Sequence, residues 1–251
     1  MTRARRRSAP FVVALTALAL TACGGEAPPQ VDPSPASTPA STPTPTSEEA
    51  NRPEQRQLTA EEVAAALPSR AQAPSGYARD PRSDDEPDPD WTPTAQPESC
   101  LALYQQTSEQ SAFREAHHVA GDHVRYTRDD GRRPAPSLIV TIRSYDKPYP
   151  KEFFDEAGAV LGECTKHVHL SSPDSSSEDW HATSIPTPTV GQQTFGVRIG
   201  RPEIGLAWDY LYVRSGHNVI IVAISTTYEG TNDKRLSTYA QGVLDDLGKT
   251  P

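Results

Sequence analysis

Eight prolines fall between Gly24 and Gln57, in a stretch reading GGEAPPQVDPSPASTPASTPTPTSEEANRPEQRQ that holds almost no large apolar side chain. Such a segment buries too little surface to offset the entropy of ordering it, and proline biases it toward extended polyproline II. At ~3.1 Å per residue it reaches roughly 100 Å at most. A core must therefore come from the residues that follow, and the tract itself is expected to be a disordered Pro/Ser/Thr-rich tether. Its Thr-Pro and Ser-Pro repeats also suit O-linked sugars.

The first 22 residues contain Arg3, Arg5, Arg6 and Arg7, no acid, and then an apolar run from Phe11 to Ala22. A basic flank followed by such a run is the pattern of an export signal. As a helix of about 12 residues the run rises only ~18 Å against the ~30 Å of a bilayer core, too short for a transmembrane anchor. Its closing residues, Leu20-Thr21-Ala22-Cys23, resemble the lipobox of bacterial lipoprotein signals. The resemblance implies cleavage before Cys23 and a diacylglyceryl group on its thiol. At ~0.8 kcal/mol per buried CH₂, two or three acyl chains give a stable anchor. The expected organisation is a signal peptide over 1–22, lipidated Cys23 and the tether over 23–57, and a globular domain over 58–251 on the extracytoplasmic face of the cell membrane.

The whole chain carries 24 basic and 33 acidic side chains; without the four arginines of the signal the balance is 20 against 33, or −13. An acidic protein of this kind is an unfavourable nucleic-acid binder and is repelled by anionic lipid. Its membrane partner is reached through the lipid on Cys23.

Order is expected to begin at LTAEEVAAALPS. Thr59 with Glu62 makes a capping box, Leu58 with Val63 a hydrophobic staple, and Pro68 stops the helix. Asp84, Glu86, Asp88 and Asp90 then alternate in an acidic loop. Pro89 stands where an EF-type calcium loop needs glycine, so a solvated loop is the better reading. A short helix is expected around Cys100, Leu103 and Tyr104, and strands over DHVRYTR and SLIVTIRSY flank the Asp130-Gly131 turn. Phe153, Ala157, Val160, Leu161 and Cys164 form one helical stripe. Strands over QTFGVRIG, GLAWDYLYVR and NVIIVAISTTY follow, and a final helix carries Leu236, Tyr239, Ala240, Val243, Leu244 and Leu247. Runs of strand with helices between and after them give an α+β class, an antiparallel sheet with helices packed on one face.

Once Cys23 is lipidated, Cys100 and Cys164 remain, and an even remainder in an exported protein argues for a disulfide, with two separate thiols or a metal site as the alternative. No Gly-x-Ser-x-Gly elbow and no phosphate-cradling glycine loop is present. His117, His118 and His123 cluster before the first long strand, and Cys164, His167 and His169 form a C-x-x-H-x-H run with metal-ligand residue types. Because Cys164 is expected to be oxidised, the simpler reading leaves His167 and His169 in water, with neither metal nor cofactor. Trp208, Tyr210 and Tyr212 share a strand face with Leu206, either as core or as a stacking wall for a ligand; Trp180 beside a Ser-rich stretch is equally open.

The early helix, the Cys100 segment, the Phe153 to Cys164 helix, the YLYVRSGHNVIIVAIS hairpin and the closing YAQGVLDDL resemble the PknH-like extracellular sensor-domain family, whose relatives include free actinobacterial lipoproteins. The resemblance implies a sheet flanked by helices, a cleft for an unidentified ligand, and no enzymatic activity. The family's second disulfide has no cysteines here. The reading that follows is a membrane-anchored, non-catalytic sensor-like domain for a small ligand or an envelope partner. Its competitors are an extracytoplasmic enzyme with an unrecognised site and an envelope assembly factor.

Overall fold

Thr59 caps helix α1 (Ala60–Ala66) in the expected reciprocal box, its Oγ1 accepting from Glu62 N while Glu62 accepts from Thr59 N. Arg56 bonds the same carboxylate and, with these contacts, holds it down at about 2. The computed structural model describes residues 52–80, 92–131, 135–170, 178–228 and 230–249. The signal segment, Cys23, the tether up to residue 51 and the acidic stretch from Asp84 to Asp90 lie outside the described residues. Structure opens before Leu58: Pro53–Gln55 form a 3₁₀ turn, and Gln55 is buried.

After α1 come β1 (Ala78–Arg79), β2 (Thr94–Gln96), a 3₁₀ helix at Glu98–Tyr104, α2 (Ser108–His117), β3 (His118–Thr127), β4 (Ser137–Tyr145) and α3 (Glu152–Val160). Then follow β5 (Lys166–Leu170), β6 (Asp179–Ser184), β7 (Gln193–Arg201), β8 (Leu206–Ser215), β9 (Asn218–Thr227) and α4 (Asp233–Leu247). Among the described residues all nine strands join one antiparallel sheet in the order β1-β3-β4-β9-β8-β7-β6-β5-β2. The α+β class read from the sequence is the one observed. Consecutive strands β1 and β2 lie at opposite edges, while the long hydrophobic strands β4, β9 and β8 sit in the middle.

The sequence pointed to helices on one face; the structure has them on both, because the central strands alternate two sets of apolar residues rather than apolar and polar. Leu211, Val213, Ile220 and Val222 are buried beneath α1 and α4, which contribute Val63, Leu236, Ala240 and Leu247. We call this the α4 face. On the other side Val197, Ile199, Tyr212 and Val219 meet Phe153, Phe154 and Ala157 of α3 and the Cys100–Cys164 bridge, whose Cα atoms are 5.6 Å apart. This is the disulfide face.

The hairpin β8–β9 turns at Gly216, whose φ of 57° suits glycine and whose missing side chain leaves room for the Gln55 carbonyl. That carbonyl accepts from His217 N at 2.8 Å, and Asn218 Nδ2 donates to the Glu54 and Arg56 carbonyls. The N-terminal segment is thus fastened to the middle of the sheet.

Candidate functional site

The two histidines expected in water are buried, His167 at 2% and His169 at 8% exposure. On β5 it is Lys166, Val168 and Leu170 that point away from the disulfide face, and the histidines that point into it. Buried imidazoles need partners, and the 3₁₀ helix supplies them. His167 Nδ1 donates to the Cys164 carbonyl at 2.9 Å, which leaves Nε2 to accept from the Tyr104 hydroxyl at 2.7 Å. His169 Nε2 donates to Gln106 Oε1 at 3.1 Å, and its ring stacks on Tyr104 with centroids 3.7 Å apart. Burial lowers both histidines, His169 to about 4, and raises the Tyr104 phenol well above its ordinary value. Tyr104 is therefore a fixed donor and the pair is neutral at pH 7.

A stability test follows. Since the folded value of His169 lies below that of the unfolded chain, its neutral burial contributes fully above about pH 6.5, and that contribution is lost as pH falls toward 4. Replacing His169 by Gln is expected to flatten the decline between pH 6.5 and 4.5 by roughly 2 kcal/mol, or about 4–8 °C in melting temperature. Parallel melting curves for the two proteins would show that the imidazole carries no such penalty.

Among the described residues, no helix packs on the disulfide face beyond this cluster, α2 and α3. Antiparallel register sets four rows across β3, β4, β9 and β8: Gly121-Arg143-Val219-Arg214, His123-Thr141-Ile221-Tyr212, Arg125-Ile139-Ala223-Tyr210 and, at the far end, Ser225 beside Trp208. Arg125, His123, Ile139, Thr141, Arg143, Tyr210 and Trp208 are all partly exposed, and Ile139 belongs to neither hydrophobic cluster. Trp208, Tyr210 and Tyr212 form a ladder with centroids 6.2 and 5.9 Å apart. Tyr210 is partly exposed, yet burial pushes its phenol up to about 12. The core reading holds for Tyr212, at 3% exposure, whereas Trp208 and Tyr210 are partly exposed.

The other singled-out residues stay apart. His117 Nδ1 meets Asp146 at 2.9 Å, His118 leans edge-on against Tyr145, and His123 lies five residues further along β3; among the described residues no group of three His, Cys, Asp or Glu is placed to hold a metal. Trp180 faces the disulfide side of β6 opposite His167.

No protein-family profile matches this chain, and neither does any curated protein. Among solved structures, the extracellular domain of PknH from Mycobacterium tuberculosis superposes with a TM-score of 0.57, covering 78% of this chain and 100% of its own. The fold is PknH-like. Identity is 12%, so the likeness is one of fold alone. An Rv0999 ortholog from Mycobacterium smegmatis covers 74% of this chain and 95% of its own at 10% identity, with a TM-score of 0.38 that carries no argument.

Within this PknH-like fold, the residues that sequence reasoning missed are Arg125, Arg143 and Ile139. Each sits in a strand already recognised, on the side opposite Val124, Leu138 and Val140. The signal that would have found them is the composition of that side: counted over the strand positions of the disulfide face, there is no Asp or Glu at all among the described residues. Arg214 is committed to the Tyr149 carbonyl at 2.6 Å, and Arg201 to Glu178 and Glu203.

Proposed function

We propose that this protein is a lipid-anchored, extracytoplasmic and non-catalytic binding domain that holds a small ligand on the unroofed part of its disulfide face. The observation that carries the reading is the row Arg125-Ile139-Ala223-Tyr210, where a partly exposed isoleucine and an alanine lie between a guanidinium and a partly exposed ring. A wall of aromatic surface with a few convergent polar groups is what a ligand site needs. The export signal and lipobox support the location. The name of the fold neighbour, an extracellular domain, agrees with it.

Native mass spectrometry of the detergent-extracted protein tests both parts. The expected result is a chain beginning at Cys23 with a diacylglyceryl-sized gain, carrying a bound species whose occupancy falls at least about tenfold in Tyr210→Ala, the loss of one good stacking contact. A protein still bearing its signal, or cut elsewhere, removes the anchor. Occupancy unchanged in Tyr210→Ala, or turnover of a wall-derived substrate, removes the binding-domain reading.

A further inference from the structure

We propose that the cavity at the end of the sheet opposite the β8–β9 turn binds a small soluble amphiphilic anion, its phosphate or carboxylate held by Arg235 and Arg128 and its aliphatic part lying against Ile204 and Leu206. The proposal does not depend on the ligand reading of the disulfide face.

The chain builds this cavity where its strands run out. Pairing of β4 with β9 stops at Leu138 and Ile224, whereas pairing of β8 with β9 continues to Leu206 and Thr227. Around the gap stand Tyr77 just before β1, Arg128 just past β3, Arg235 in the first turn of α4 and the 3₁₀ turn Pro202–Ile204. They enclose about 920 Å³, within the range of small-ligand sites.

Charge complementarity selects the ligand. The chain is acidic overall, at −9, yet both charged side chains lining the cavity are arginines, and among the described residues no Asp or Glu lines it. Arg235 is exposed and, among the described residues, has neither a hydrogen bond nor an ion pair. Arg128 gives Nη2 to Asp130 at 3.0 Å and stands over the Tyr77 ring at 5.5 Å, contacts that orient its fork and leave Nη1 unused. Arg235 is therefore the main anchor, and Arg128, partly neutralised by Asp130, an oriented second donor to an oxyanion. Burial raises the Tyr239 phenol, and Arg235 and Tyr77 both reach that ring electrostatically, the first favouring its ionised form and the second opposing it. Since Tyr77 carries Arg128, the two guanidinium groups belong to one neighbourhood.

The other wall is apolar. Ile204 is 58% exposed, one of two large apolar side chains so placed among the described residues, and Leu206 is partly exposed two residues on. An aliphatic tail laid there removes apolar surface from water on both partners.

Position favours a soluble ligand over a bilayer lipid. Strands β8 and β9 each run ten residues from the turn that holds residues 54–56, so the cavity lies ~30 Å from the point where the N-terminal segment is fastened.

The test is calorimetric titration of the detergent-extracted full chain with hexyl phosphate, inorganic phosphate and hexanol, each against a detergent blank. Hexyl phosphate is expected to bind saturably, phosphate more weakly, and hexanol without saturation. Affinity should fall about tenfold or more in Arg235→Gln, the loss of a charged hydrogen bond, and several-fold in Ile204→Asp. It should stay unchanged in Lys234→Gln, one residue away and outside the cavity. Both altered side chains are exposed, so melting curves of the variants should match the parent. Equal affinity in the Arg235 and Lys234 variants, or hexanol binding as tightly as hexyl phosphate, overturns the anion assignment. Absence of saturable binding overturns the site. Displacement of hexyl phosphate by phosphatidylglycerol doped into the micelle, lost in Arg235→Gln, would replace the soluble ligand by a membrane lipid. Tyr210→Ala should leave the titration as it is; weaker binding there would move the probe to the disulfide face.

Discussion

An Asp209→Ala protein is expected to lose about 3–5 kcal/mol of stability, the largest effect of any single substitution on the α4 face. Asp209 has no exposed surface and takes a two-point contact from Arg198, Nε to Oδ1 at 2.6 Å and Nη2 to Oδ2 at 2.8 Å, with Asn232 Nδ2 as a third donor at 2.8 Å. The hydrogen bond to Asp209 raises Arg198 further above its already high value. Arg198 also donates to the carbonyls of Tyr228 and Gly230, so one guanidinium ties β7 and β8 to the link between β9 and α4. Removing the carboxylate leaves a half-buried cation facing two carbonyls without its counter-charge. At ~2–4 °C per kcal/mol for a domain of this size the melting temperature should fall by roughly 6–20 °C. A double Arg198→Met, Asp209→Leu protein should be less damaged than the two single changes added together, because the lone charge is gone. Thermal melts of the four proteins measure this; additive losses would mean that the pair acts through packing alone.

Replacing Cys100 and Cys164 by Ala should cost about 4 kcal/mol, since the bridge closes a separation of 64 residues in the unfolded chain. The loop so closed contains α2, β3, β4 and α3, and one of its ends is the 3₁₀ helix that carries Tyr104. The consequence is therefore local as well as global. The Cys164 carbonyl is the acceptor that fixes the tautomer of His167, and through it the donor role of Tyr104. Loss of about 8–16 °C in melting temperature on mutation or on reduction, with large shifts at His167 and His169, is the expected outcome. An unchanged melt would show that helix packing alone holds this corner.

The central sheet was legible because β4, β8 and β9 are long, apolar and punctuated by turns, and α1 because its capping box is complete. Helix α2 was not: its box pairs Thr107 with Gln110, but its only buried residue is Gln110, so no apolar stripe marks it. Strand β6 was missed because Trp180 and Ala182 are its only inward apolar residues, flanked by Asp179, His181 and Thr183. His167 and His169 were misplaced for a different reason. Period-two alternation gives faces but not their destinations, and here the partners that make burial of imidazole tolerable come from Tyr104 and Gln106, 63 residues away in sequence. The proposed binding face was half legible. Its aromatic stripe stands out in one strand, whereas its cationic line is assembled from β3 and β4 and becomes visible only once register is known.

The fastening of residues 54 to 56 to the β8–β9 turn also sets how the domain bears load. A pull arriving through Arg52 does not meet an edge strand, which would unzip one pair of bonds at a time. It meets the Gln55 carbonyl held by His217 and the Glu54 and Arg56 carbonyls held by Asn218, at the turn of the two strands that lie deepest in the sheet. Tension therefore enters at a strongly supported point of the structure and is shared by the neighbouring strands, so the domain can be held at its N-terminal end while the sheet face at β3, β4, β9 and β8 keeps its shape.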